Sequence, residues 1–228
     1  MKISFINGSP KVGTSCSGTL LTQLQKDLLN KGNQKISPEN FTIYQINKAP
    51  LSDANIAEII KSDIIVVAFP LYVDGIPSHM LAALYQLEEA FSKVSEPQKT
   101  SFYGIINNGF SESFQNQHAA AMLNLFCKRA GISFGQVFAV GAGEMLRSMV
   151  ESNVPFGEAS LSYVKQDWDS FVENIVEQKS APSVFCSPKI PARIFCAIGN
   201  LTFWNPSAKK NGISKKQMCR RLPYSPMQ

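Results

Sequence analysis

The chain has 228 residues, 44% of them hydrophobic, which is ample for one buried core and excludes an intrinsically disordered protein. Its length predicts one domain with an appendage rather than two full domains. No apolar run approaches the ~20 residues that span a bilayer. The formal charge of +5 is unevenly placed: residues 1–181 hold all 17 acidic groups against 14 basic ones, a net of −3, whereas residues 182–228 hold 8 basic groups and no acid.

Cys16, Cys127, Cys186, Cys196 and Cys219 are odd in number and form no C-x-x-C pair, which argues against a disulfide framework and a zinc site. His79 and His118 sit in no metal-ligand spacing, so no metal is expected. The start, Met1-Lys2-Ile3-Ser4-Phe5-Ile6, reaches a turn too soon for a signal-peptide core, and a cytoplasmic location is expected.

Residues 3–6 predict a short strand ended by the turn cluster Asn7-Gly8-Ser9-Pro10. A helix follows over 17–31, with Leu20, Leu21, Leu24 and Leu28 at helical spacing. Residues 41–46 predict a second strand and 53–61 a short helix. The nearly continuous β-branched run 63–69 suits a central parallel strand covered on both faces, stopped by Pro70. Helix resumes over about 77–93. A fourth strand is expected at 101–106, then a helix over 112–130 with Gly131 as its C-cap. A fifth strand is expected at 133–140, residues 143–157 read as a loop, and a last helix spans 159–178. Strand and helix thus alternate five times, which predicts a doubly wound α/β domain with a five-stranded parallel sheet over residues 1–180. Residues 181–228 read as a basic C-terminal extension. Its apolar, aromatic stretch 190–204 is expected to pack on the body or on a partner subunit.

Open α/β sheets bind ligands beyond the carboxyl ends of their strands, so the loops after strands one, three and four matter most. The first runs from Gly8 to Gly18 into a helix N-terminus. Backbone N–H groups and the helix dipole favour an anion there, with Ser9, Thr14, Ser15 and Ser17 adding hydroxyls and Lys11 adding charge. The loop suits a phosphate monoester, but it matches neither a Walker A motif nor G-x-G-x-x-G. The second, Pro70-Leu71-Tyr72-Val73-Asp74-Gly75-Ile76-Pro77, is stiff and apolar and suits a planar aromatic ring. The third, Asn107-Asn108-Gly109-Phe110, offers two carboxamides for ring heteroatoms, a close approach at Gly109 and an aromatic flank. Asp74 and His118 read as solvated surface residues, and no nucleophile–base set is present, so no catalytic side chain is expected.

Taken together, these three strings, with Thr14-Ser15-Cys16-Ser17 in the first and Gly141-Ala142-Gly143-Glu144-Met145 after strand five, resemble the flavodoxin-like NAD(P)H-dependent FMN reductase family over residues 1–180. The tail segment Ala208-Lys209-Lys210-Asn211-Gly212 looks similar to extensions on clostridial-type members. The resemblance implies strand order 2-1-3-4-5 and FMN as cofactor. The site it implies is Ser9, Lys11, Thr14, Ser15, Cys16, Ser17, Pro70, Leu71, Tyr72, Val73, Asp74, Gly75, Asn107, Asn108, Gly109 and Phe110. It also implies NADH or NADPH as electron donor, a small-molecule acceptor (a quinone, free flavin, nitro compound or metal complex) and a homodimer. Cys16 departs from the threonine or asparagine commoner there. A flavodoxin-type electron carrier is the alternative; such carriers are usually strongly acidic, and a body at −3 does not match that. No nucleic-acid partner is expected, although the basic tail motivates a third reading as an interaction module.

Overall fold

Alternate side chains of a strand point to opposite faces, and the strand over 64–70 shows what this does to the core. Ile64, Val66 and Ala68 pack on one side with the first and last helices of the body, while Ile65, Val67 and Phe69 pack on the other. The structure is a computed structural model that describes residues 1–32, 35–47, 50–94 and 99–220. The chain divides into two units, Met1–Pro188 and Lys189–Gln228.

In the first unit six parallel strands form one sheet in the order β2-β1-β3-β4-β5-β6. They are β1 (Ile3–Asn7), β2 (Phe41–Gln45), β3 (Ile64–Pro70), β4 (Ser101–Asn107), β5 (Ser133–Val140) and β6 (Val184–Cys186). One face is covered by α2 (Asp53–Ile59), α3 (Ser78–Ser92) and α4 (Gln117–Ala130). The other is covered by α1 (Cys16–Lys31), α5 (Gly143–Glu151) and α6 (Lys165–Val176). The leucine stripe of α1 is buried, as are Trp168, Phe171, Val172 and Ile175 of α6. Trp168 joins the two helices by donating its indole N–H to Asp27 Oδ2 at 2.7 Å. Gly131 adopts φ 69° and closes α4 as a left-handed cap.

Four expectations need correction. The sheet has six strands, not five. Residues 181–186, expected to begin the extension, run along the edge of β5 instead: Ala181 N–H donates to Gly135 O at 2.9 Å, Gln136 Nε2 donates to Pro182 O at 2.8 Å, and Val184 to Cys186 pair with Phe138 to Val140. The compact unit accordingly reaches Pro188. Residues 143–151, expected as loop, are the helix α5. The last two helices start later than expected: a 3₁₀ turn at Ser113–Asn116 precedes α4, and another at Ala159–Val164 precedes α6.

One glycine fixes how β5 meets β4. The pairing shifts register after Phe102, so that Gly135 is an extra residue on β5, and a Cβ there would fall 2.3 Å from the Tyr103 ring.

The second unit contains α7 (Ala192–Gly199), a π-helical turn (Asn200–Trp204), α8 (Asn205–Lys210) and α9 (Lys215–Met218). Residues 192–210 are helical without a break. Among the described residues no helix is long and apolar enough to cross a membrane.

Candidate functional site

Parallel strands end together, so the loops after β1, β3, β4 and β5 emerge on one edge of the sheet. The first is held by short hydrogen bonds of its own. Asn7 Oδ1 accepts from the Ser9 N–H at 3.1 Å, and Ser9 Oγ accepts from the Lys11 N–H at 3.4 Å. Gly13 has φ 100°, where a side chain would be strained, and its would-be Cβ meets open space. Ser15 is the N-cap of α1: its Oγ accepts from the Gly18 N–H at 3.1 Å. The amides of Val12, Gly13, Thr14, Ser15, Cys16 and Ser17 donate to no other group among the described residues. They lie at the positive end of a 16-residue helix. This is an arrangement that can receive an anion.

The expected site residues divide by exposure. Lys11 and Thr14 are exposed, whereas Ser9, Ser15, Cys16 and Ser17 are buried. Ser17 Oγ accepts from Asn107 Nδ2 at 2.9 Å, and the same amide group donates to Phe69 O at 3.2 Å. Asn107 thereby ties the first turn of α1 to the ends of β3 and β4. The Lys11 ammonium does not stand free: it pairs with Glu144 Oε1 at 3.0 Å, and Arg147 holds the other carboxylate oxygen at 3.0 Å. Partial burial by itself would raise the Glu144 carboxyl, but hydrogen bonds from Lys11 and Arg147 outweigh it and hold the group below the ordinary carboxylate range. Burial, reinforced by Glu144 and partly offset by Arg147 and Lys11, pushes the Cys16 thiol up to about 12, so it is neutral and no nucleophile at physiological pH.

The second loop is a tight turn. Tyr72 and Gly75 exchange backbone hydrogen bonds at 3.1 and 3.0 Å around Val73 and Asp74, both left-handed with φ 47° and 57°. For β-branched Val73 this conformation is strained. The turn presents Tyr72, half-exposed, and Val73, fully exposed, at the sheet edge, while Leu71 and Ile76 anchor it from below. The Leu71 N–H donates to Asn107 O at 2.7 Å, which binds this turn to the third loop.

In the third loop Phe110 is exposed, and a Cβ on Gly109 would meet nothing within 4 Å. Asn108 is buried. Its N–H and Nδ2 donate to Val140 O and Glu112 O at 3.1 and 3.0 Å, but among the described residues its buried Oδ1 accepts from no group. A buried acceptor with no donor is costly unless a ligand or water supplies one.

Sequence reasoning missed how closely the fourth loop belongs to the site. A Cβ on Gly141 would lie 2.2 Å from Ser111 O, and one on Gly143 would lie 2.9 Å from Asn107 Oδ1 and 3.1 Å from Cys16 Sγ. Ala142 takes φ 55° between them. The small residues let this loop wedge between the first and third, with Gly143 N–H donating to Asn108 O at 2.8 Å. The two glycines stand in the string Gly141-Ala142-Gly143-Glu144-Met145 that carried part of the resemblance, but their local spacing gives no sign of these contacts. His79 was also missed: its Nε2 lies 2.9 Å from Gly8 O, so that nitrogen carries the hydrogen and donates.

No protein-family model matches the sequence, and no curated protein matches it. Among solved structures, an NADH:FMN oxidoreductase in its apo form shares the fold with a TM-score of 0.50 at 16% identity, over 78% of this chain and 87% of its own. General stress protein 14 of Treponema denticola in complex with FMN gives 0.49 at 13% identity, over 77% of this chain and 99% of its own. An NADPH-quinone reductase from P. pentosaceus gives 0.48 at 12% identity, over 68% and 100%. The chain has the flavodoxin-like fold expected from the three loops, extended by the edge strand β6.

Proposed function

We propose that this chain is a flavin oxidoreductase that holds FMN on the loops at this sheet edge, takes electrons from NADH or NADPH and passes them to a small-molecule acceptor, acting as a homodimer. The observation that carries the reading is the run of unpartnered amides from Val12 to Ser17 at the head of α1. They would donate to the phosphate, with the Thr14 and Ser15 hydroxyls as further donors. Ser9, Cys16 and Ser17 would act mainly through the backbone they shape; Ser15 is buried with them, but its role as acceptor from Gly18 leaves its own O–H free to donate. Lys11 would add charge to the same anion once it is released from Glu144.

Pro70, Leu71, Tyr72, Val73, Asp74 and Gly75 would form one wall for the ring. Asn107, Asn108, Gly109 and Phe110 would form the other. Asn108 Oδ1, a buried acceptor without a donor among the described residues, would become available to a ring N–H if the third loop opened toward the ligand. Tyr72 and Phe110 offer exposed aromatic faces to a planar group. FMN, when bound, supplies the hydride and electron chemistry, and the protein's part is position and electrostatics.

The test is the visible spectrum of the protein after addition of FMN and gel filtration, followed by NADH and NADPH oxidation with a quinone. A retained flavin band with turnover is expected. Failure to retain or bind FMN overturns the proposal. A flavin band without oxidation of either nucleotide would leave the electron-carrier alternative in its place.

A further inference from the structure

The second unit carries exposed apolar side chains flanked by cations. In the unbroken helix over residues 192–210, Ile194, Ile198 and Leu201 recur at steps of four and three, which places them along one side of the rod, while the π-helical turn Asn200–Trp204 carries the exposed Trp204 away from that line. These side chains are between 43% and 71% exposed. Phe203, edge-on to Trp204 with ring centroids 5.1 Å apart, is exposed beside them. An amphipathic helix ordinarily turns such a stripe inward.

The charge around the stripe is of one sign. Lys189 and Arg193 stand at its head, Lys209 and Lys210 at its foot, and Lys215, Lys216 and Arg220 follow. From 182 to 228 no carboxylate side chain exists to neutralise them. A segment with cations at both ends, apolar groups between and no acid cannot satisfy its charge internally. It complements a surface that is apolar just below a layer of negative charge.

We infer that residues 189–220 form a peripheral docking element for an anionic phospholipid bilayer. The helix lies in the plane of the interface. Ile194, Ile198 and Leu201 enter the acyl boundary, Trp204 sits at the headgroup level, and the lysines and arginines meet the lipid phosphates. The element lies on the membrane and does not cross it, in agreement with the absence, among the described residues, of a helix long and apolar enough to span. A nucleic-acid backbone would meet the same cations, but the aliphatic stripe has no use on it, and bases stack on aromatic faces rather than on isoleucine and leucine.

The test uses the full-length protein with vesicles of phosphatidylcholine alone or mixed equally with phosphatidylglycerol. The protein should sediment with the mixed vesicles at least about tenfold better than with the neutral ones, and binding should weaken as salt rises. The chain has two tryptophans, and Trp168 is buried, so a blue shift of the emission on vesicle addition reports Trp204. Trp204→Phe should abolish the shift and keep most of the sedimentation. The pair Lys209→Glu/Lys210→Glu should weaken binding by at least about tenfold. Leu201→Asp should do the same with an unchanged melting temperature and sedimentation coefficient. Equal binding to neutral vesicles, or no binding with a static Trp204 emission, overturns the inference. So does a Leu201→Asp variant that is less stable or changes its assembly, because the stripe would then be a protein-packing face. Retention by single-stranded DNA but not by the mixed vesicles would likewise assign the surface to nucleic acid and overturn it.

Discussion

Ser15→Ala separates the structural and the proposed ligand-binding roles of one side chain. In the protein, Ser15 Oγ accepts from the Gly18 N–H at 3.1 Å, which leaves its own O–H free to donate. Alanine removes both. Loss of the cap costs about 1 kcal/mol of stability, which lowers the melting temperature by about 2–4 °C for a unit of this size. Loss of a hydrogen bond to a charged phosphate costs ~1.5–3 kcal/mol of affinity, and about 1.4 kcal/mol is already tenfold. The two effects are told apart by the ligand. A weakened cap acts on FMN and riboflavin alike, whereas the phosphate contact exists only for FMN. Dissociation constants for both, measured by quenching of flavin fluorescence at a temperature well below the transition, should show FMN weakened at least tenfold and riboflavin changed little. Equal weakening for the two would refute the phosphate assignment, and so would an FMN affinity that does not move.

Other measurements follow from the same geometry. The double variant Tyr72→Ala/Phe110→Ala should shift the visible spectrum or the reduction potential of bound flavin; an unaltered spectrum, potential and affinity would place the ring elsewhere. Val73→Asn should raise stability by about 1 kcal/mol in denaturant unfolding, because asparagine tolerates the left-handed conformation that strains valine. The thiols of Cys16 and Cys127 are both raised from 9.0 to about 12 by burial. Their contribution to stability is therefore complete below pH 9.0 and is lost as the pH rises through the folded values, since the unfolded chain ionises first. The variant Cys16→Ala/Cys127→Ala should show a flatter decline of melting temperature above pH 9, and an equally steep decline would assign it to other groups.

Much of the architecture could be read from periodicity and turn residues. The leucines of α1, the continuous apolar run of β3 and the left-handed Gly131 each sit where the pattern placed them. The misses have physical causes. Strand β6 is three residues long, too short for a period of two to register, and its environment of prolines and a basic tail resembles a linker. Helix α5 starts behind Ala142 in a left-handed conformation, with no side-chain cap, so the capping signal is missing and only Glu144 in the first turn marks a start. The partner of Ser17 is Asn107, ninety positions away, and no local spacing reveals a contact of that kind.

That last contact explains why a loop legible as a phosphate cradle was only half understood. Reading hydroxyls as ligand donors assumes that they point outward, yet a loop that must hold several backbone N–H groups unpaired needs its own side chains to keep it from collapsing onto them. Asn7, Ser9 and Ser15 take up local N–H groups, Ser17 takes up Asn107, and the glycines at 141 and 143 let the fourth loop brace the assembly from the side. What remains outward is the exposed Lys11 and Thr14, the aromatic faces of Tyr72 and Phe110, and the unpartnered amides. Buried polar residues in a site of this sort mainly stabilise the geometry and the exposed ones meet the ligand, with the Ser15 hydroxyl serving both ends: it caps Gly18 and keeps its O–H for the phosphate. Substitutions at Ser17 or Asn107 should therefore lower stability and affinity together. Substitutions at Thr14, Tyr72 or Phe110 should change affinity or spectrum while leaving the fold intact.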